Sequence, residues 1–187
     1  MYLLKEVFNE IKFGLVVFEL FTELLRNDED CITPGQSSEL IAIATEEKSD
    51  FRLALVGALC SKYQNEIVDH LLSSMGPHTL AYMTRVAQEC DLPADLLSRL
   101  LAGSLPFFTK SESDRQRIAC CQFITQIMKN FTEKEETLQK PFSDALFEPI
   151  YVSLSAWHET KPTKSLVLRD RALESMTWLC HGLPWAR

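Results

Sequence analysis

The sequence predicts an all-α protein built from antiparallel helix pairs, and three observations support this prediction. Apolar residues recur at steps of three and four along most of the chain, which is the spacing of one helix face. Glycine and proline number only 6 and 8 among 187 residues, and this scarcity favours long helices over turn-rich sheets. No segment alternates as a strand does, so we expect eight to eleven helices in one domain spanning residues 1–187.

The first predicted helix covers residues 2–26, where leucine, isoleucine and phenylalanine form a continuous apolar stripe. Phe13, Val17 and Leu20 lie off this stripe, so the apolar arc is broader than one neighbouring helix pair can cover. We expect these three residues to dock a partner chain or a second copy of this one. The alternative is that the helix is central to the domain and buried on all sides.

Residues 27–36 have the composition of a polar loop, and Pro34-Gly35 is a turn signal within it. Several helices then follow, opened by serine, aspartate or proline and closed by turn residues. We expect Gly103 to end one of these helices and Pro106 to lie in the loop behind it. The predicted ranges in this half are 37–43, 49–63, 66–75, 77–90 and 93–103.

The second half begins with a long predicted helix that Ser111 or Ser113 caps. Thr132 and Glu135 have capping-box spacing, which predicts the start of another helix. The following helix is expected in two pieces around Pro149, because proline breaks a helix interior. The predicted ranges are 111–130, 132–138, 142–157 and 165–181.

Three of the predicted helices share a pattern in which an arginine precedes an alanine by two or three residues, with a bulky residue on the same face. The stretches are Asp50–Tyr63, Asp114–Lys129 and Leu166–Cys180, with arginines at Arg52, Arg117 and Arg169. This pattern resembles the second helix of a HEAT repeat. The resemblance implies a short α-solenoid of stacked antiparallel helix pairs, and a compact helical bundle is the alternative.

In HEAT-like families, the aspartate and arginine of the second helix often tie adjacent repeats together. The resemblance assigns this role to Asp50 with Arg52 and to Asp114 with Arg117, whereas in the third stretch the aspartate follows its arginine. The three arginines are 65 and 52 residues apart, and a repeat of this kind has about 40 residues. We therefore expect an extra helix or an unmarked repeat between the marked ones.

The charge distribution favours a protein partner over a nucleic acid. The formal net charge is −7, and residues 1–50 carry all of it, with four basic and eleven acidic side chains. Such a chain lacks the basic footprint of a general nucleic-acid binder; its acidic first quarter suits a basic partner or is simply solvated. Acidic neighbours dilute the one modest basic group, Arg99, Lys110, Arg115, Arg117, Lys129 and Lys134. A nucleic-acid-associated helical repeat protein remains the alternative function.

Cysteine usage predicts a reducing compartment. Five of the six cysteines fall inside helical patterns, where a free cysteine behaves as a small buried hydrophobe, and only Cys31 falls in a loop. The chain starts without the basic flank and apolar run of a signal peptide, and no stretch is apolar for long enough to span a bilayer. We expect free thiols, no membrane association and a cytoplasmic or nuclear location.

No motif for catalysis or cofactor binding is present. The sequence lacks a phosphate-binding glycine loop, a nucleophile elbow and a zinc-protease motif, and its cysteine and histidine spacings do not define a zinc site. We expect no cofactor, no metal and no enzymatic activity, with a helical enzyme whose site is assembled from distant residues as another alternative.

The expected function is a non-enzymatic protein–protein interaction module, or a scaffold subunit of a larger assembly or a homodimer, that binds through a helical-repeat surface. Trp185 follows the last predicted helix. Tryptophan is enriched at binding hot spots, so we expect Trp185 to bind a partner or to seal the end of the helical stack.

Overall fold

A computed structural model describes residues 19–20, 22–23, 27, 34–46, 50–60, 62–74, 79–134, 140–159 and 165–181. This part of the chain contains eight helices and no strand, so the all-α prediction is confirmed. Within the first predicted helix, the described residues 19–20 and 22–23 are helical as well. The eight helices are α1 (Pro34–Glu46), α2 (Asp50–Cys60), α3 (Gln64–Ser73), α4 (Thr79–Glu89), α5 (Ala94–Lys110), α6 (Asp114–Glu133), α7 (Lys140–His158) and α8 (Leu166–His181).

The described residues group into two compact units. The first unit contains those up to Ser74 together with Glu89–Asp91, and the second contains those of 75–88 and from Leu92 onward. That residues 1–187 form one domain stays a prediction.

The first unit has a core formed by α1, α2 and α3, which contact one another. Each helix contributes apolar residues at helical spacing, and each such side chain stabilises the fold by about 1.5–3 kcal/mol when it is fully buried. Segment 89–91 is attached to this unit through Gln64, whose Nε2 donates to the backbone oxygen of Asp91 at 3.3 Å. The buried residues include Leu40, Ile41, Ala44, Leu55, Val56, Leu59, Ile67, Val68 and Leu71.

The second unit contains two helical hairpins, α5 with α6 and α7 with α8. A short connection, residues 111–113, joins α5 to α6, and two packed helices with such a short connection run antiparallel. The first helices of the hairpins, α5 and α7, also contact each other, as do the second helices, α6 and α8. Between α5 and α7, the ring of Phe108 stacks on Trp157 with 6.0 Å between centroids.

Two serine caps are present in the second unit, the predicted one at the start of α6 and another at the start of α8. Ser113 precedes α6, and its side chain accepts a hydrogen bond from the backbone nitrogen of Gln116 at 3.3 Å. Ser165 precedes α8 and accepts in the same way from the backbone nitrogen of Leu168 at 3.2 Å. Each cap satisfies one amide that has no partner inside the helix, which fixes where the helix begins.

Some of the predicted helix boundaries were wrong, each for a local reason. Pro34 and Gly35 do not form a turn but begin α1, because the first helical position needs no amide hydrogen and tolerates proline. Thr132 does not cap a new helix. It lies in the last turn of α6, where its hydroxyl donates to the backbone oxygen of Met128 at 2.9 Å.

The predictions at Gly103, Pro106 and Pro149 were also wrong, because α5 and α7 run through these residues. In α5 the buried stripe continues past Pro106 to Phe108, and in α7 it continues past Pro149. An interior proline costs about 3 kcal/mol, but burial of the large side chains beyond it offsets that cost. Tertiary packing therefore overrides the local signal in both helices.

Candidate interaction surface

The facing sides of α7 and α8 are identified by two reciprocal contacts between His158 and Arg169. Arg169 Nε donates to the backbone oxygen of His158 at 2.9 Å, and His158 Nδ1 lies 3.3 Å from the backbone oxygen of Arg169. The first contact caps a carbonyl at the end of α7 with a cation, a favourable arrangement at a helix C-terminus. Because the end of α7 meets the start of α8 and the two helices pack together, they run antiparallel.

This orientation places three exposed apolar side chains beside the line where α7 and α8 meet. Residues on an α-helix are about 100° apart, so Tyr151 lies about 20° around α7 from His158, and Leu173 and Leu166 lie about 40° and 60° around α8 from Arg169. These side chains border the line where the two helices meet, yet they remain exposed: Tyr151 by 39%, Leu166 by 62% and Leu173 by 50%. We call Tyr151, Leu166 and Leu173 the α7–α8 groove.

The base of the groove is held in place by aromatic and polar packing. The ring of Phe147 stacks on Tyr151 with 5.3 Å between centroids, which fixes the tyrosine along α7. Beneath α8, the Ser175 hydroxyl lies 3.0 Å from Thr125 Oγ1 and 2.9 Å from the backbone oxygen of Cys121. Ser175 and Thr125 are buried, so this hydrogen-bonded contact fixes α8 against α6.

Three exposed acidic side chains lie on the outer side of this helix pair: Glu148 on α7, Glu159 directly after α7, and Asp170 on α8. None of the three has an ion-pair partner among the described residues. Arg171 is already paired with Glu174 at 2.8 Å, so it does not neutralise them. This surface therefore combines an apolar groove with an acidic rim.

The predicted partner-binding residues are only partly described. Leu20 is 56% exposed, whereas Phe13, Val17 and Trp185 lie outside the described residues. The predicted docking role of these four residues stays a prediction. Sequence reasoning missed the α7–α8 groove, although Leu166, Leu173 and Cys180 recur every seven residues beside the buried stripe of α8. That spacing was the available signal.

The cysteines follow the predicted pattern with one exception. Cys60, Cys90, Cys120 and Cys121 are buried and free, whereas Cys180 is free but exposed. The expectation that Cys180 is buried was wrong, because it lies on the outer side of α8, in line with Leu173 rather than with Leu179. Cys31 lies outside the described residues.

Arg117, one of the charged residues that the HEAT resemblance singles out, contacts residues close to it in the sequence. Arg117 donates through Nη1 to Asp114 Oδ1 and through Nη2 to the backbone oxygen of Ser111, each at 3.3 Å. This pair therefore lies within the first turn of α6 and the loop before it. The side chains of Asp50 and Arg52 lie outside the described residues, and the HEAT resemblance itself stays a prediction.

At least three residues of the predicted basic group are engaged in contacts inside the protein. Besides Arg117, Lys129 Nζ lies 5.4 Å from the centroid of the Trp178 ring, and Lys134 Nζ donates to the backbone oxygen of Leu92 at 2.6 Å. A cation over an indole is stabilised by the ring's quadrupole. Lys110 and Arg115 are exposed.

No group of three or more histidine, cysteine, aspartate or glutamate side chains that could hold a metal ion occurs among the described residues. None of the helices in the described ranges combines the length and the apolar character that crossing a bilayer requires. Comparison of the chain with protein-family models, curated proteins and solved structures finds no match.

Proposed function

We propose that the protein is a non-enzymatic interaction module that binds a partner protein through the α7–α8 groove. One observation carries the proposal. Six large apolar side chains are exposed among the described residues, and five of these lie on α7 and α8. Scattered exposed apolar residues are ordinary, but their concentration on one pair of helices is typical of a binding surface.

The shape and charge of the groove favour an amphipathic helix as the bound segment. Two antiparallel helices leave a shallow channel between them, and a helix fits such a channel with apolar residues at three-, four- and seven-residue steps. The exposed carboxylates of Glu148, Glu159 and Asp170 border the channel. The bound helix therefore carries basic residues on both sides of its apolar face, since complementary charge orients a partner and speeds its association.

A stack of hairpins would explain why this surface is exposed. The contacts of α5 with α7 and of α6 with α8 support the predicted short α-solenoid, in which hairpins pack side by side. In a solenoid, each unit packs only on its neighbours, and the main contacts of α7 and α8 among the described residues are with α5, with α6 and with each other. A compact four-helix bundle accounts for the same helix contacts and remains the alternative arrangement.

The test compares captured proteins between the wild-type chain and the variant Leu166→Asp with Leu173→Asp. The purified chain is immobilised, incubated with an extract of its source cells, and the bound proteins are quantified by mass spectrometry. We expect a protein captured by the wild type to be lost from the variant. Its interacting segment, prepared as a peptide, should bind the wild type and form a helix on binding.

The matched control is Val152→Asp with Val167→Asp, which adds the same charge to the same two helices. Both valines are exposed, but they lie about 120° and 160° around their helices from the facing sides. This control should retain the partner. Equal capture by both variants would contradict the proposed site, and capture that nuclease treatment abolishes would favour a nucleic-acid-associated function instead.

A further inference from the structure

Residues 182–187 follow directly after α8 and lie outside the described residues. We call them the post-α8 segment. Their sequence, Gly-Leu-Pro-Trp-Ala-Arg, contains the large apolar ring of Trp185 and a single charge, that of Arg187. A glycine directly after a helix favours a reversal of the chain, and a proline two residues later prevents the helix from continuing. The sequence therefore favours a chain that turns back along α8.

The post-α8 segment starts beside the α7–α8 groove. The reciprocal contacts of His158 and Arg169 show that these two residues lie at the same height along the antiparallel helices. Counted from that height at about 1.5 Å per residue, Tyr151 lies about 8 Å and Leu173 about 12 Å back from the end of α8 at His181. The segment therefore leaves α8 close to two of the three groove residues.

The reach of the chain decides which groove residues Trp185 can contact. Trp185 is four positions after His181, and four extended residues span at most about 14 Å. Tyr151 and Leu173 lie within that distance, whereas Leu166 lies about 22 Å from the end of α8. Trp185 can therefore cover one half of the groove and must leave the Leu166 half open.

The post-α8 segment also matches the chemistry of this half of the groove. Tyr151 and Leu173 are exposed by 39% and 50%, and an indole ring offers a large apolar surface to cover them. Glu148 is exposed and lies at about the height of the last turn of α8. The charge of Arg187 is opposite to that of this acidic rim, and complementary charge fixes the register of a contact.

We propose that the post-α8 segment occupies the Tyr151–Leu173 half of the α7–α8 groove, with Trp185 in the groove and Arg187 at its acidic rim. A partner helix must displace the segment before it can bind, so the segment lowers the affinity of the groove for its partner. A short tether gives a roughly millimolar effective concentration, so a weak contact is sufficient. This regulatory role rests on the proposed function, whereas the contact itself does not.

Hydroxyl-radical footprinting of the full-length protein tests the contact without a partner. Oxidation of each side chain is quantified by tandem mass spectrometry in the wild type and in Trp185→Ala. We expect labelling of Tyr151 and Leu173 to rise in Trp185→Ala, and labelling of Leu166 and of the exposed Val167 outside the groove to stay unchanged. The control Trp185→Phe keeps a large apolar ring and should keep the protection.

Two results of this footprint would overturn the proposal. One is equal labelling of Tyr151 and Leu173 in the wild type and in Trp185→Ala. The other is wild-type protection that appears only at high protein concentration, because it would place Trp185 on a second copy of the chain.

Substitutions in the groove give a reciprocal test. Leu173→Asp should release Trp185 and raise its labelling. Leu166→Asp makes the same change beyond the reach of Trp185 and should leave its labelling as in the wild type. Equal labelling of Trp185 in the two variants would contradict its placement in the Tyr151–Leu173 half.

The regulatory role is tested with a synthetic amphipathic peptide that has leucines at three- and four-residue steps, lysines on both sides of them and a fluorescent label. Fluorescence anisotropy measures its dissociation constant. If the segment occupies the groove for about nine-tenths of the time, Trp185→Ala should bind the peptide about tenfold more tightly than the wild type. Equal affinities would overturn the regulatory role. Binding to neither protein would contradict the proposed function and its regulation, while the footprint decides the contact separately.

Discussion

Burial suppresses the reactivity of the neighbouring thiols of Cys120 and Cys121. Both side chains are buried in α6, and burial raises the pKa of Cys120 to about 11 and that of Cys121 to about 12. Hydrogen bonds with Ser111 and Ser175 lower these values, but less than burial raises them. At neutral pH, both thiols are therefore protonated and poor nucleophiles.

Alkylation should distinguish these cysteines from Cys180. We expect iodoacetamide at pH 8 to label Cys180 rapidly in the native protein and to leave Cys120 and Cys121 unlabelled until the protein unfolds. The reason is that the thiolate is the reactive form, and burial both suppresses it and blocks access. Time-resolved labelling followed by peptide mapping gives the three rates. In Cys180→Ser, the rapid reaction of its peptide should vanish. Native-state labelling of Cys121 as fast as Cys180 would contradict this prediction.

The exposure of Cys180 could not be predicted from the spacing of apolar residues. Periodicity identified α8 and its bounds, because apolar residues recur at helical spacing along residues 165–181. Two apolar stripes run along that helix, however, and only one of them is buried. Without knowledge of the neighbouring helices, spacing alone could not decide that Leu179 lies inside and Cys180 outside.

At the scale of elements, prolines account for the largest differences between the predicted and observed helices. A serine cap predicted the start of α6 correctly, because a cap is a local interaction between residues close in sequence. Pro106 and Pro149 were predicted to break helices that continue through them. Burial of Phe108 against Trp157 holds the end of α5 in place, and that contact joins residues 49 positions apart.

Replacement of Pro106 tests this explanation. We expect Pro106→Ala to stabilise the protein by about 1–2 kcal/mol, because it restores one backbone hydrogen bond and removes the ring clash, less the entropy that proline removes from the unfolded chain. The free energy of unfolding is measured by chemical denaturation, with the helix content followed by circular dichroism. The control is Pro93→Ala at the N-cap of α5, where no intrahelical amide bond is missing. A stabilisation at Pro93 equal to that at Pro106 would refute the argument.

At the scale of the molecule, the sequence predicted helix content but not helix partners. The contact of α6 with α8 depends on Thr125 and Ser175, two hydroxyls 50 residues apart that hydrogen-bond only because the fold brings them together. Neither residue stands out in the sequence, since buried hydroxyls resemble exposed ones in any pattern of spacing. The α7–α8 groove was missed for the same reason: it is a property of two helices together and belongs to neither alone.

Besides the α7–α8 groove, the sequence predicts a second apolar surface, the docking side of the first helix at Phe13 and Val17. Residues 1–50 also carry the whole net charge of −7, which suits docking to a basic surface.

We expect the variant Phe13→Asp with Val17→Asp to keep its helix content and solubility but to lose a partner or a dimer. Light scattering and circular dichroism measure both. Asn9→Asp with Lys12→Gln makes the same change in charge on the polar side and should bind normally. Aggregation or unfolding of the first variant alone would instead show that Phe13 and Val17 belong to the protein's own core.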